Sequence, residues 1–425
     1  MKIHIQGGTL IDPAAGTEQQ QDVYIADGTI IALGAAPAGF QADKTIDAKG
    51  LYVAPGLVDL SARLREPGYE HKATLDSEMA AALAGGVTSL VCPPDTDPVL
   101  DEAGLIEMLN YRVGKLARAR VYPLGALTVG LKGEVITEMV SLTEAGCIGF
   151  TQVDKPIADT QVLLRALQYA STYGYAAWLR PQDAFLSKGG VAASGAVASR
   201  LGLSGVPVSA ETIALHTLFE LMRVTGARVH VMHLSSAAGV ALMRAAKAEG
   251  LPVTCDVSAN HVHLIDMDIG YFDAQFRLDP PLRQQRDRDA IRAGLADGTI
   301  DAICSDHTPV DDDEKLLPFA EASPGATGLE LLLSLTVKWA DEAGVPLAKA
   351  LARVTSAPAG IVTLDAGRIA LGANADLCVF DAHAHWYVEP RALKSQGHNT
   401  PFLGYELPGV VRATLVAGRV GFERG

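Results

Sequence analysis

At 425 residues the chain is too long for one small core, and a barrel of roughly 250 residues plus a second module is the natural expectation. Hydrophobic residues make up 48% and charged residues 20%, with 42 glycines and 22 prolines spread along the length, which excludes a disordered chain or a coiled coil. The formal net charge is -14 and no basic stretch interleaves with aromatic residues, which argues against nucleic acid as a partner.

The opening segment, MKIHIQGGTLIDP, carries a single Lys before an alternating run and lacks the apolar core of a signal peptide. No later segment reaches the roughly 20 uninterrupted apolar residues of a membrane span, so a cytoplasmic protein without a membrane partner is expected. Residues 1–54 read as short β-like runs, IHIQGGTLIDP and DVYIADGTIIALG, broken by Gly and Asp turns, the grammar of a small antiparallel sheet. Residues 55–360 alternate strand-like runs (GVTSLVCPP, ARVYPLGAL, GCIGFTQ, ARVHVMHLSS, LPVTCDVS, DAICSDH) with helical ones (DSEMAAALAGG, ADTQVLLRALQYAS, ETIALHTLFELMRVTG). That alternation implies parallel pairing in a (β/α)8 TIM-type barrel, whose site lies at the carboxyl ends of its strands. Residues 361–425 return to short strands in GRIALGANADLCVFDAHAHWYVE and LPGVVRATLVAGRVGFERG. The expected fold is therefore α/β, a barrel with a small β-sandwich domain built from both chain termini.

Cys92, Cys147, Cys255, Cys304 and Cys378 are odd in number, widely spaced and form no CxxC pair, so buried free thiols are expected rather than disulfides or a thiolate zinc site. Two HxH strings, His261 with His263 and His383 with His385, read as packing or solvent-facing histidines.

In order along the chain stand APGLVDLSARLREPGYEHKATLDSEMAAALAGGVTSLVCPPDTDP, CDVSANHVHLID, FRLDPPLRQQRDRDAI, AICSDHTPVDDDEK, SPGATGLELLL and HNTPFLGYEL. This run of landmarks resembles the dihydroorotases of the amidohydrolase superfamily, particularly the longer bacterial class, over nearly the whole chain. The resemblance implies a metal centre opened by a PGxxDxHxHxR motif, whose two histidines point the same way from the first barrel strand. Here those positions are Ser61 and Arg63. A zinc-like ion needs a lone pair, whereas Arg has five donors, no acceptor and a permanent charge. The resemblance places a bridging carboxylate after a third-strand motif that here reads GCIGFTQVDKP, where an ungapped count gives Gln152; Asp154 and Lys155 lie close enough for a shifted ligand. The next histidine is replaced by Arg180 in YAAWLRPQDAFL, while His233 in VHVMHLSS and Asp306 in ICSDHTP match the later histidine and the metal-binding, proton-accepting aspartate. Asp306 is expected to pair with Arg63 or Arg180, filling the space of the ion.

For the substrate carboxylate, the resemblance implies the Arg of HxHxR, two asparagines and a loop histidine. Arg65 is kept; Asp95, Asp279 and Val310 stand at the other three places. Two acids facing an acidic ligand would repel it. These departures imply no zinc or other cofactor and vestigial metal and substrate positions. The expected function is then that of a non-catalytic dihydroorotase homologue of pyrimidine biosynthesis. It would serve as a structural subunit with the aspartate carbamoyltransferase catalytic chain, homo-dimerising and hetero-oligomeric. Two alternatives remain: an active cyclic-amide hydrolase with an atypical or single-metal site using Asp306, and a barrel that binds a cationic metabolite through Asp95, Asp279 and Asp306.

Overall fold

Alternation in IHIQ and VYIA puts Ile3, Ile5, Val23 and Ile25 on a buried face. In the computed structural model, which describes residues 1–424, that face belongs to a four-stranded sheet in the order Thr29–Leu33, Val23–Ala26, Ile3–Gln6, Lys44–Asp47. A six-stranded sheet covers it, joining Thr9–Asp12, Thr17–Gln20 and Tyr52–Pro55 to Leu377–Tyr387, Glu406–Val416 and Arg419–Glu423. Ile3, Ile5, Val23 and Ile25 meet Leu377, Val379 and Leu415 in one apolar cluster, so both ends of the chain build one sandwich.

Two details differ from expectation. The sheets are mixed, because Ile3–Gln6 pairs parallel to Lys44–Asp47 and Thr9–Asp12 parallel to Tyr52–Pro55. The carboxyl-terminal strands Leu377–Tyr387 and Glu406–Val416 run 11 residues each, and register shifts after Val379 and Asp381 bend the pair around the sandwich.

Between these ends, eight parallel strands form the barrel: Leu57–Asp59, Val87–Cys92, Arg120–Pro123 continued by Gly125–Ala126, Phe150–Thr151, Ala176–Leu179, Arg228–Val231, Val253–Ser258 and Ala302–Cys304. A bridge between Ala62 and His307 closes the ring, with the Arg63 N–H donating to the His307 carbonyl at 2.9 Å. Helices such as Leu75–Ala84, Thr160–Tyr173 and Val208–Thr225 lie between successive strands, several started by a side-chain cap, as where Thr74 accepts from Ser77 N–H. Leu60, Val91, Leu124, Trp178, Met232, Ala302 and Cys304, from six of the strands or their ends, pack together and fill the barrel interior. Gly328 lets its loop approach the end of the eighth strand, since a Cβ there would sit 2.5 Å from the Ser305 carbonyl oxygen.

All five cysteines are buried free thiols. Among the described residues no helix is long and apolar enough to cross a membrane.

Candidate functional site

The strands end in tails that gather at the barrel mouth. Beyond Leu57–Asp59, Leu60, Ala62 and Leu64 are fully buried and alternate with Ser61, Arg63 and Arg65. The motif GCIGFTQ lies on the fourth strand, not the third, because Arg120–Ala126 supplies the third ahead of it. The pair His261 and His263 follows the seventh strand, on the short helix Ala259–His263.

Arg63 is the most heavily engaged side chain of the mouth. Its Nε donates to Asp95 at 2.7 Å, one terminal nitrogen to Asp154 at 2.5 Å, and the other to the Thr308 hydroxyl at 2.9 Å while lying 3.5 Å from Asp306. Arg180 donates to Asp154 at 2.8 Å and, through its second terminal nitrogen, to Asp279. Asp154 thus bridges the two guanidinium groups, and each arginine holds a second acid of its own. Such charge-assisted contacts are the stronger kind, and removing one partner leaves an uncompensated charge.

The electrostatics follow. Burial opposes the charge on Arg63, yet Asp95, Asp154 and Asp306 hold its guanidinium protonated more firmly than usual; Asp279 and Asp154 do the same for Arg180. Burial would raise the Asp154 carboxyl, but Arg63 and Arg180 outweigh it and hold it well below the ordinary carboxylate range. Asp306 goes the other way: burial raises it, only partly offset by His233 and Arg63.

The expected pairing of Asp306 is with Arg63 rather than Arg180. His233 lies 3.7 Å from Asp306, and neither of its ring nitrogens has a hydrogen-bond partner. Gln152 accepts a hydrogen bond from Thr128 at 2.9 Å. The Ser61 carbonyl accepts from the His307 N–H at 3.1 Å. Arg65 donates to the Pro309 carbonyl at 2.9 Å, and Val310 is buried with its N–H on Asn399 at 2.9 Å. One expectation needs correction: Asp95 and Asp279 are not bare acids facing a ligand, since Arg63 and Arg180 neutralise them where they stand. A cation site built on them is unsupported for the same reason. His261 and His263 are packing residues whose Nε2 atoms face the Pro281 and Leu335 carbonyls at 3.4 and 2.9 Å, while His383 and His385 are exposed on the sandwich.

Sequence reasoning missed the central role of Asp154, weighed only as a shifted ligand. The signal was present: two new cations demand a shared anion, and Asp154 is the acid just past the fourth strand.

Beneath the cluster lies a second polar layer. Asp256 accepts from the His233 backbone N–H at 2.7 Å and lies 3.1 Å from His230 Nε2. Asp59 accepts from the Ser305 N–H at 2.8 Å and from its hydroxyl. Glu211 accepts from the N–H groups of Ser235 and Ser236 at 2.9 and 3.1 Å. His307 Nδ1 accepts from the Gly328 N–H at 3.1 Å, so its Nε2 carries the proton and donates to Glu78 at 2.6 Å. Four non-glycine residues of the mouth stand in left-handed backbone, Arg65 (φ 63°), Val153 (φ 53°), His233 (φ 53°) and Asp306 (φ 50°), and this layer holds the His233 N–H on Asp256. Such strain clusters at functional sites, and it is least favourable for a β-branched residue such as Val153.

A family model described as Dihydro-orotase-like matches residues 50–238, and one for the Amidohydrolase family matches residues 208–422. Relatives include a dihydroorotase-like protein of Pseudomonas aeruginosa, 45% identical over 429 residues and covering all of both chains. A second dihydroorotase-like protein, from Pseudomonas putida, is 45% identical over 99% of each chain, and a dihydroorotase of a Geobacter species is 39% identical over all of both. Among solved structures, the L-hydantoinase (dihydropyrimidinase) of Arthrobacter aurescens superposes with a TM-score of 0.88 at 23% identity, covering 100% of this chain and 96% of its own. A D-hydantoinase superposes at 0.85 with 22% identity over 99% and 95%. At that identity these two establish the fold alone, a barrel with a β-sandwich.

Proposed function

Because the chain belongs to the dihydroorotase-like amidohydrolase family while Arg63 and Arg180 crowd its barrel mouth, we propose that it is a non-catalytic member of that family. In this reading it works in pyrimidine biosynthesis as a structural subunit needed for assembly or activity of aspartate carbamoyltransferase. The observation that carries the first half is the arginine cluster, tested against what a zinc-type centre requires. A catalytic zinc takes about three lone-pair donors and leaves one position for water. At the mouth, Asp95, Asp154 and Asp279 already accept from guanidinium groups, and the Gln152 oxygen accepts from Thr128. His233 and Asp306 are left as a pair. Deeper down, His233, Asp256 and Cys304 offer atoms within 4.8 Å of one another. Asp256, however, is engaged by His230 and the His233 backbone, and burial pushes the Cys304 thiol well above its ordinary range, away from the thiolate a metal binds. The residues do not fit the ion, and without it nothing brings the pKa of a bound water to about 7 to supply hydroxide.

The partner half of the reading comes from the family resemblance. It is supported by an apolar surface that a subunit interface would cover: Met267, Tyr271, Phe272, Leu316 and Leu317 are exposed on two mouth loops, tied together where Lys315 donates to the Ala274 and Arg277 carbonyls at 3.1 and 3.2 Å. Co-purification of the full chain with the transferase catalytic chain, with and without Tyr271→Glu and Leu316→Glu, tests it. A mixed complex weakened by both substitutions is expected; transferase that assembles and works equally well alone overturns the partner assignment.

A second reading, a cyclic-amide hydrolase with an atypical or single-metal site, is favoured by one observation. His233 and Asp306 persist at the mouth in left-handed backbone, with both His233 ring nitrogens free of hydrogen bonds. Metal content after purification separates the two. Stoichiometric zinc, with turnover of dihydroorotate or hydantoin abolished by Asp306→Asn, establishes the hydrolase and ends the non-catalytic reading.

A further inference from the structure

Beside the ion cluster, a cavity of about 110 Å³ opens between the loops after the fourth and fifth strands and the helices Thr160–Tyr173 and Val208–Thr225. Its wall is largely apolar, from Ile157, Leu163, Leu179, Ile213 and Leu218. The side-chain amides of Gln152 and Gln182 interrupt that wall together with three charged residues: Arg180, an exposed Lys155, and Asp183, which accepts from the Phe185 and Leu186 N–H groups at 3.0 and 2.8 Å. Gln152 is almost wholly buried, and its orientation follows from its neighbour. The Thr128 hydroxyl accepts from the Gly133 N–H at 2.9 Å and donates its own proton to Gln152 Oε1, also at 2.9 Å. The other end of the amide is then a donor, and Gln152 Nε2 is buried with no hydrogen-bond partner. On the same cavity, Gln182 Oε1 is buried and equally unpartnered. Buried polar atoms are nearly always paired, so a donor and an acceptor both left over in one apolar cavity is a recognition pattern rather than a packing one.

We infer that this cavity is a binding site for a small uncharged amide: Gln152 Nε2 donates to the ligand carbonyl, Gln182 Oε1 accepts from its N–H, and the apolar wall takes a ring-sized body. Few well-placed polar groups in an apolar concavity is the general form of a small-molecule site. At about 110 Å³ the enclosed space is smaller than the roughly 150 Å³ apolar cavity that admits benzene, so a ring-sized body enters in part and projects through the open side. The acid–base character also fits. Arg180, on the same wall, is already neutralised by Asp154 and Asp279, so it does not recruit an anion. The site shares Arg180 with the ion cluster, but neither amide belongs to that cluster, and its occupation depends on neither reading of the function given above.

Benzamide is the probe and benzoate, which has no N–H to offer Gln182, the control. The readout is the methyl spectrum of the full chain labelled at Ile and Leu methyl groups. Benzamide should give saturable shifts confined to Ile157, Leu163, Leu179, Ile213 and Leu218, with benzoate at least tenfold weaker. Gln182→Leu should weaken benzamide at least tenfold without moving distant methyls. Ile213→Trp, at a half-exposed rim position where folding is not at stake, should fill the cavity and abolish the shifts. Absence of saturable shifts, equal binding of benzoate, or unchanged binding in Ile213→Trp overturns the assignment.

Discussion

Two polar layers lie one above the other at the barrel mouth, and they are satisfied in opposite ways. The upper layer is ionic: two guanidinium groups shared among Asp95, Asp154, Asp279 and Asp306. The lower layer uses hydrogen bonds from backbone and hydroxyl groups to hold Asp59, Asp256 and Glu211. The lower layer fixes backbone N–H groups just past the sixth and eighth strands. The strained conformations of His233 and Asp306 therefore coexist with a cluster that makes no evident use of strain.

The difference between the layers can be broken from above. Arg63→Ala strands Asp95 and half of the demand of Asp154, and the loss should be about 3–5 kcal/mol, read as a fall in the urea midpoint. A loss under about 1 kcal/mol would mean that water compensates the cluster and that the layer is not ionic in effect.

The pH dependence sharpens the contrast between one residue of each layer, Asp59 and Asp154, whose carboxyls are shifted in opposite directions. Burial pushes the fully buried Asp59 up to about 6, above its unfolded value, so the native state keeps a proton that the unfolded chain releases. Its contribution is full below about pH 4 and is lost as pH rises through 6, on the order of 3 kcal/mol. Asp154, held low by the two arginines against burial, contributes above about pH 4 and loses its contribution as pH falls further. Stability profiles of Asp59→Asn and Asp154→Asn should each flatten only its own window; a single shared window would remove the opposition between these two carboxyls.

Within the upper layer, Arg63 and Arg180 are coupled through Asp154. In a double-mutant cycle, removing both should cost about 1 kcal/mol more than the sum of the single losses, since only the double variant leaves Asp154 without a partner. Strict additivity would show that Asp154 is not shared in solution. The smallest effect belongs to His233. Its ring makes no hydrogen bond in this structure, so His233→Leu should change stability by less than about 1 kcal/mol. A larger loss would mean that the ring is held by something else, and metal content should then be measured on the unsubstituted protein.

Periodicity and order of landmarks were enough to read the barrel, the terminal sandwich and the cysteines, because each depends on local patterns repeated along the chain. They were also enough to pick out Arg63 and Arg180 as cations, since a guanidinium carries its charge whatever surrounds it. What stayed illegible was compensation. Asp95 and Asp279 look repulsive when read singly, and only the fold brings them against Arg63 and Arg180, across 32 and 99 residues of chain. Asp154 looked like a spare ligand until the fourth and fifth strand ends placed it between two cations. Charge is additive along a sequence but pairwise in space, so the residue types state which charges the chain carries, while the tertiary structure alone decides which of them cancel.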